Sequence, residues 1–212
     1  MSYFVTGGTG FIGRFLIDQL LRERKGDIHV LVRSGSLERL EQMIERWPDG
    51  AARVKPVVGD LTQPLLGVDK KWLAANKGKI KHSFPLAAIS AMPASDEFNQ
   101  AVNVEGTINA IDLANALEVG CLHHTSSVAA AGDYDGKFTE DMFAEGQPLP
   151  SPYHRTKYES EALVRETATV PWRVYRPAIV VGDSRTGEMD KIDGPYYLFK
   201  LIQRLGGSLP AW

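Results

Sequence analysis

The sequence predicts an α/β protein in which a parallel sheet is covered by helices on both faces. Two patterns carry that prediction. Short β-branched runs alternate with longer stretches that are apolar at helical spacing, and the first such run breaks into glycines before a helix begins. The 212 residues are 43% hydrophobic and 24% charged with a formal net charge of -2, enough for a sizeable core, and 1–212 reads as a single domain.

In chain order, Tyr3–Thr6 is the first strand, followed by Phe11, Phe15, Ile17, Leu20 and Leu21 on one helical face. Ile28–Arg33 reads as a strand and Leu37–Trp47 as a helix stopped by Pro48. Val54–Asp60 is the third strand; a charged segment then runs to Lys79, and Ile80–Ile89 is the fourth strand. A long helical region spans Ser95 to Glu118, and a strand opens at Cys121. A Gly/Asp/Pro-rich stretch from Gly132 to Pro152 precedes a polar helix, Tyr153–Thr167, and a late strand, Trp172–Pro177. Tyr196, Tyr197, Phe199, Leu201, Ile202 and Leu205 predict a closing helix with a core face, a surface that a fatty chain can share. The chain shows no internal repeat, low-complexity tract or interdomain linker.

The near-neutral charge gives no reason to expect nucleic acid as a partner. One cysteine, Cys121, excludes an intramolecular disulfide and fits a reducing, cytoplasmic location. Glycines interrupt the apolar run after Val5, unlike a secretory signal, and no apolar run approaches the ~20 residues of a membrane helix.

The glycines are Gly7, Gly10 and Gly13 of TGGTGFIG, placed after a strand and at the opening of a helix. Gly7 permits a tight turn, Gly10 lets backbone approach a pyrophosphate, and Gly13 lets helix and strand pack closely. The helix N-terminus favours the anion. The spacing differs from the usual G-x-G-x-x-G, and a plain glycine turn is the bland alternative. At the end of the second strand, where an NAD site places an acidic residue, stand Arg33 and Ser34. Arginine pairs a 2′-phosphate in forked geometry, and Arg14 is near enough in sequence to join it, which favours NADPH. The alternative is two solvated surface arginines.

Downstream, Tyr153 and Lys157 are four apart and share a helix face. A tyrosine at its ordinary pKa of ~10 is a poor acid near neutrality, and a neighbouring ammonium favours the phenolate. Together with a phosphate loop upstream and the serines Ser126 and Ser127 between, the pair points to carbonyl chemistry.

At these residues the sequence resembles the short-chain dehydrogenase/reductase superfamily in its extended form. TGGTGFIG (Thr6–Gly13), GDLT (Gly59–Thr62), NVEGT (Asn103–Thr107), TSSVAAAG (Thr125–Gly132), YHRTK (Tyr153–Lys157) and YRP (Tyr175–Pro177) occur in that order over essentially the whole chain. The resemblance implies a Rossmann-type doubly wound sheet. It implies that Thr6, Phe11 and Ile12 join the glycines at the cofactor, that Asp60 and Leu61 contact adenine, and that Ala87, Asn103 and Pro177 lie along the cofactor. Lys157 holds the nicotinamide ribose, and Ser127, with Ser126 as fallback, supplies the catalytic hydroxyl. More narrowly, DMFAEG and the stretch Arg176–Leu205 are similar to the reductase region of bacterial alcohol-forming fatty acyl-CoA reductases.

Two departures set further expectations. The family reads histidine where Pro85 stands, and proline removes a ladder donor from what should be a central strand, so distortion beside the cofactor is expected. Extended members run beyond 212 residues, so a small or truncated substrate cap, and a further domain after the C-terminus, are expected. Pairing of two copies through the long helices is also implied.

Other candidates carry less. Cys121 as a thioester-forming nucleophile stands against a buried, inert thiol. His123 and His124 are adjacent on a strand and point to opposite faces. The mixed-charge run Asp183–Asp193 is a solvated loop or a flap over substrate. The reading that unites these residues is an NADPH-dependent reductase of a long-chain fatty acyl-CoA or fatty aldehyde. A nucleotide-sugar epimerase, dehydratase or other carbonyl reductase is the runner-up, and a non-catalytic NADP-binding module is the alternative outside enzymes.

Overall fold

Side-chain alternation along the first strand decides how the sheet is covered. In β1 (Ser2–Thr6), Tyr3 and Val5 enter one apolar cluster and Phe4 enters another on the opposite face. The computed structural model describes residues 2–87, 101–189 and 195–205, which fall into two units, Met1–Pro177 and Ala178–Trp212.

The first unit is a six-stranded sheet with every pair parallel. Besides β1 it contains β2 (Ile28–Val32), β3 (Val54–Val58), β4 (Ile80–Pro85), β5 (Cys121–Thr125) and β6 (Trp172–Tyr175), in the order β3-β2-β1-β4-β5-β6. Helices α1 (Phe11–Glu23) and α2 (Leu37–Arg46) cover one face through Ile17, Leu20, Leu40 and Ile44. Further along come a four-residue turn of helix, α3 (Gly50–Arg53), and α4 (Lys70–Asn76). α4, α5 (Gly106–Ala116) and α6 (Pro152–Thr167) cover the other face, through Trp72, Ile111, Leu113 and Val164. Ile17, Ile28, Val30 and Val164 are fully buried, each contributing ~1.5–3 kcal/mol of apolar burial. The doubly wound Rossmann-type fold expected from the sequence is the fold found.

The strand order reverses between β1 and β4, which opens a crevice at the carboxyl ends of these strands. β4 ends at Pro85, whose register partner is Thr6, the last residue of β1. The proline therefore sits where the sheet opens. The irregularity in that ladder lies at its other end, between Ser2 and Tyr3.

Several boundaries differ from the sequence reading. α5 begins at Gly106, preceded by a π-helical turn over Ala101–Glu105; residues 95–100, with which the expected helix began, lie outside the described residues, as do 88 and 89 at the expected end of β4. Within the charged segment before Lys79, a 3₁₀ turn (Pro64–Gly67) and α4 form. α4 is nucleated by Asp69, whose carboxylate accepts the amides of Lys71 (2.9 Å) and Trp72 (3.1 Å). Between Gly132 and Pro152 the chain forms no helix or strand before α6, as its composition suggested. Gln147 anchors that stretch by donating to the carbonyls of Ala130 (2.9 Å) and Phe143 (2.8 Å).

The second unit contains a closed turn at Asp183, whose carboxylate accepts the amides of Arg185 and Thr186, and α7 (Pro195–Leu205). α7 forms as expected, but Tyr197, Leu198, Phe199, Leu201 and Ile202 on it are exposed rather than core. A segment this short offers too little surface of its own to bury them. No helix among the described residues is long and apolar enough to cross a membrane.

Candidate active site

The glycine loop leaves β1 at Thr6 and enters α1 at Phe11. Gly7 has φ of +68°, and a Cβ there would stand 2.7 Å from the Ala87 amide nitrogen. At Gly13 an added Cβ would lie 2.2 Å from the Gly7 carbonyl oxygen, so α1 packs directly on the loop backbone. Gly10, by contrast, is exposed and caps α1 without any side-chain hydrogen bond, and the first turn carries no acidic residue. Open amides at a helix N-terminus with no competing carboxylate suit a pyrophosphate. The residues present thus fit a dinucleotide.

Three arginines lie on the segments that follow this loop. Arg33 is exposed at the end of β2, and Ser34 opens the 3₁₀ turn that follows. The Arg14 guanidinium lies over the rings of Phe11 and Phe15, 5.5 and 5.0 Å from their centroids. Sequence reasoning missed Arg39 of α2, which donates to the Thr9 carbonyl of the loop at 3.3 Å. Its signal was available: it falls in the first turn of the helix that follows Arg33.

Beyond β3, the Asp60 carboxyl is held below the usual range by the Thr62 amide (2.9 Å) and hydroxyl (2.8 Å), with the Arg33 charge adding to them. The Leu61 carbonyl accepts the Asn109 side-chain amide from α5 at 2.8 Å. Thr6 and Ala87 are joined directly, since the Thr6 hydroxyl accepts the Ala87 amide at 3.0 Å. Leu61, Ala87, Asn103 and Lys157, inferred from four separate motifs, line one small cavity with Pro85 and His124.

α6 starts at Pro152, with Ser151 as its N-cap accepting the His154 amide and lying 2.6 Å from the His154 ring nitrogen Nδ1. Tyr153 is therefore in the first turn, 37% exposed, and Lys157 is one turn further on. Burial lowers the Lys157 pKa from its ordinary value. Ser127 caps the 3₁₀ turn Val128–Ala131, which packs against α6, and its oxygen accepts the Ala129 amide at 3.1 Å. That leaves the Ser127 proton available for donation. Ser126, 2% exposed, turns its hydroxyl inward toward Glu161 without closing a well-formed hydrogen bond. The two serines thus differ in setting: Ser126 faces Glu161, and Ser127 caps the turn that packs on α6. Pro177 follows β6, and its carbonyl accepts the Val128 amide at 3.2 Å.

The adjacent histidines take opposite faces. His123 bonds His82 (2.9 Å) and the Tyr175 hydroxyl (2.9 Å) in an aromatic row across β4, β5 and β6. His124 faces α6 and lines the cavity with Lys157. Cys121 is half-buried rather than sealed, and burial raises its pKa, so its thiol is not a poised nucleophile.

The family described as Male sterility protein matches residues 5–210. A linear gramicidin synthase polypeptide of Brevibacillus parabrevis is 32% identical over 214 residues, covering 89% of this chain and 4% of that protein. Fatty acyl-CoA reductase wat of Drosophila melanogaster is 27% identical, covering 91% of this chain and 46% of that protein. Among solved structures, the terminal R domain from the myxalamid PKS-NRPS biosynthetic pathway superimposes with a TM-score of 0.84 at 31% identity, covering 97% of this chain and 56% of that one. The chain spans less than half the length of either of these two curated relatives.

Proposed function

Because the chain belongs to the Male sterility protein family of NAD(P)-binding, extended short-chain dehydrogenase/reductase-type domains, we propose that it is an NADPH-dependent reductase of an acyl thioester. One observation carries the reading: Lys157 lines a cavity at the strand ends together with Leu61, Ala87 and Asn103, while Tyr153 stands one turn before it on α6.

Thr6, Gly7, Gly10, Phe11, Ile12 and Gly13 would hold the pyrophosphate side of the cofactor, and Arg14, Arg33, Ser34 and Arg39 the 2′-phosphate. Asp60 and Leu61 would flank the adenine, and Ala87, Asn103, Lys157 and Pro177 the nicotinamide half. When bound, NADPH supplies the hydride that makes the carbonyl carbon tetrahedral. Ser127 and Tyr153 donate hydrogen bonds to the carbonyl oxygen as negative charge develops there. Lys157, its ammonium in a partly desolvated setting, steadies the ribose and the Tyr153 phenolate. For a thioester, collapse of the oxyanion adduct breaks the C–S bond, leaving an aldehyde and expelling a thiolate that takes its proton from water; for an aldehyde, Tyr153 gives its proton to the alkoxide.

Similarity to a gramicidin synthase and to a terminal R domain favours an acyl group borne on a carrier thiol. The Drosophila relative supports the second reading, a long-chain fatty acyl-CoA or fatty aldehyde. The test is NADPH oxidation against acyl-pantetheine thioesters, acyl-CoAs, aldehydes and nucleotide sugars, with aldehyde trapped as product. Tyr153→Phe abolishes turnover and leaves NADPH binding intact, and Cys121→Ala leaves turnover nearly unchanged. Turnover of nucleotide sugars alone, or tight NADPH binding without turnover of any, would overturn the proposal.

A further inference from the structure

Glu161 is a carboxylate with no solvent exposure, one turn beyond Lys157 on α6. Arg176 grips it with a fork: Nε donates to Oε2 at 3.0 Å and Nη2 to Oε1 at 2.7 Å. Arg165 adds two bonds to Oε1, at 3.0 and 2.8 Å. Burial alone would push the Glu161 carboxyl up, but the bonds from Arg176 and Arg165 outweigh it and hold it below the usual range. An i,i+4 lysine–glutamate partnership is the default on a helix. Here both carboxylate oxygens are engaged by arginines, and Lys157 lines the cavity instead.

Continuing the β5–β6 register, the backbone of Arg176 lies opposite Ser126, the residue before Ser127. The Ser126 amide donates to the Tyr175 carbonyl at 2.8 Å and the Val128 amide to the Pro177 carbonyl at 3.2 Å, so the carbonyls on either side of Arg176 hold both chain neighbours of Ser127. The Arg176 side chain then reaches α6 through Glu161 and donates to the Met142 carbonyl at 2.8 Å. Met142 belongs to the stretch that joins the Ser127 turn to the Tyr153 helix. Arg176 thus joins three parts of the chain: its flanking carbonyls hold residues 126 and 128, and its guanidinium holds Glu161 of α6 and the Met142 stretch.

We infer that Glu161 and Arg176 are positioning residues that fix the spacing between the Ser127 hydroxyl and the Tyr153–Lys157 pair. The inference rests on the proposed reductase reading for its activity readout. A buried ion pair is often replaced by apolar residues without loss of stability, so stability alone does not explain this one.

The experiment compares Arg176→Lys, which keeps the charge but loses the fork, with the apolar double variant Glu161→Leu/Arg176→Met. Expected for Arg176→Lys is a fall in kcat on the order of 10²-fold, the usual scale for small misplacements of reacting groups, with KM and NADPH Kd within about twofold. Expected for the double variant is a wild-type melting temperature with kcat still depressed. A stable double variant with wild-type kcat overturns the inference, as does an unchanged kcat in Arg176→Lys. Amide exchange at 126–128 and 139–143 provides a readout independent of catalysis. If wild type reduces no thioester or aldehyde, the reductase reading fails. Faster exchange at both segments in Arg176→Lys then still supports the clamp, and unchanged exchange overturns it.

Discussion

Thr6 and Ala87 are tied at the crevice of the sheet: the hydroxyl of Thr6, a residue 1% exposed, accepts the Ala87 amide at 3.0 Å and ties the end of β1 to the chain leaving β4. The two strands are neighbours in the sheet and flank the point where the winding reverses, while the two bonded residues lie 81 positions apart along the chain. Thr6→Val keeps the shape but strands a partly buried N–H. The expected cost is about 1–2 kcal/mol in urea unfolding, with roughly tenfold weaker NADPH binding by fluorescence titration. Unchanged affinity with the stability loss would show that the tie serves the fold alone.

Gly13 offers a sharper case. Its missing Cβ would stand 2.2 Å from the Gly7 carbonyl oxygen and 2.8 Å from the Gly8 Cα, both backbone atoms that cannot turn aside. Gly13→Ala must push α1 off the loop, an overpacking costing about 1–3 kcal/mol, and it should lose cofactor binding even where the variant still melts cooperatively. Thermal denaturation with and without NADPH checks both parts: the wild type is stabilised by the cofactor and the variant is not.

What made the fold legible was periodicity. Alternation in Tyr3, Phe4 and Val5 and helical spacing in Ile17, Leu20 and Leu21 are written in adjacent residues. Of the site, the parts carried by local motifs, such as the glycine loop and Tyr153 with Lys157, were readable for the same reason. Glu161 and Arg176 were not, because their relation exists only once β6 lies beside β5 and α6 crosses above them. α4 was missed within a charged stretch, although its cap, Asp69 before Lys70, was in plain view. The exposure of α7 was invisible to a hydrophobic pattern, which reports that a face is apolar and not what it meets.

Under the proposed NADPH reading, cofactor choice turns on Arg33 and Arg39. Arg33 is exposed beside Asp60, and Arg39 is fastened to the Thr9 carbonyl of the loop. Under the NADPH reading, Arg33→Ala and Arg39→Ala each raise the NADPH Kd about tenfold or more, the scale of a charge-assisted hydrogen bond, and leave the NADH Kd unchanged. Equal weakening of both cofactors would point instead to a disturbed glycine loop.

The last prediction concerns acid. Burial, with the neighbouring Lys157 charge adding to it and Glu161 opposing both, lowers the pKa of His124 to about 4. His123 is likewise lowered to about 4, by burial, then by His82 and Arg173. The ordinary value is 6.5, so between about 6.5 and 4 the unfolded chain binds protons that the folded one refuses. Stability is therefore full above pH 6.5 and falls as the pH drops toward 4. Fully buried His124 accounts for roughly 2 kcal/mol of the loss between pH 7 and 5. Its Nε2 is buried without a hydrogen-bond partner, so His124→Leu removes a group that costs more than it gives. Urea unfolding at pH 7 and pH 5 should show the wild type losing stability across that interval and His124→Leu losing markedly less. An equal loss in both would place the acid sensitivity elsewhere, with the His82–His123–Tyr175 row as the next group to vary.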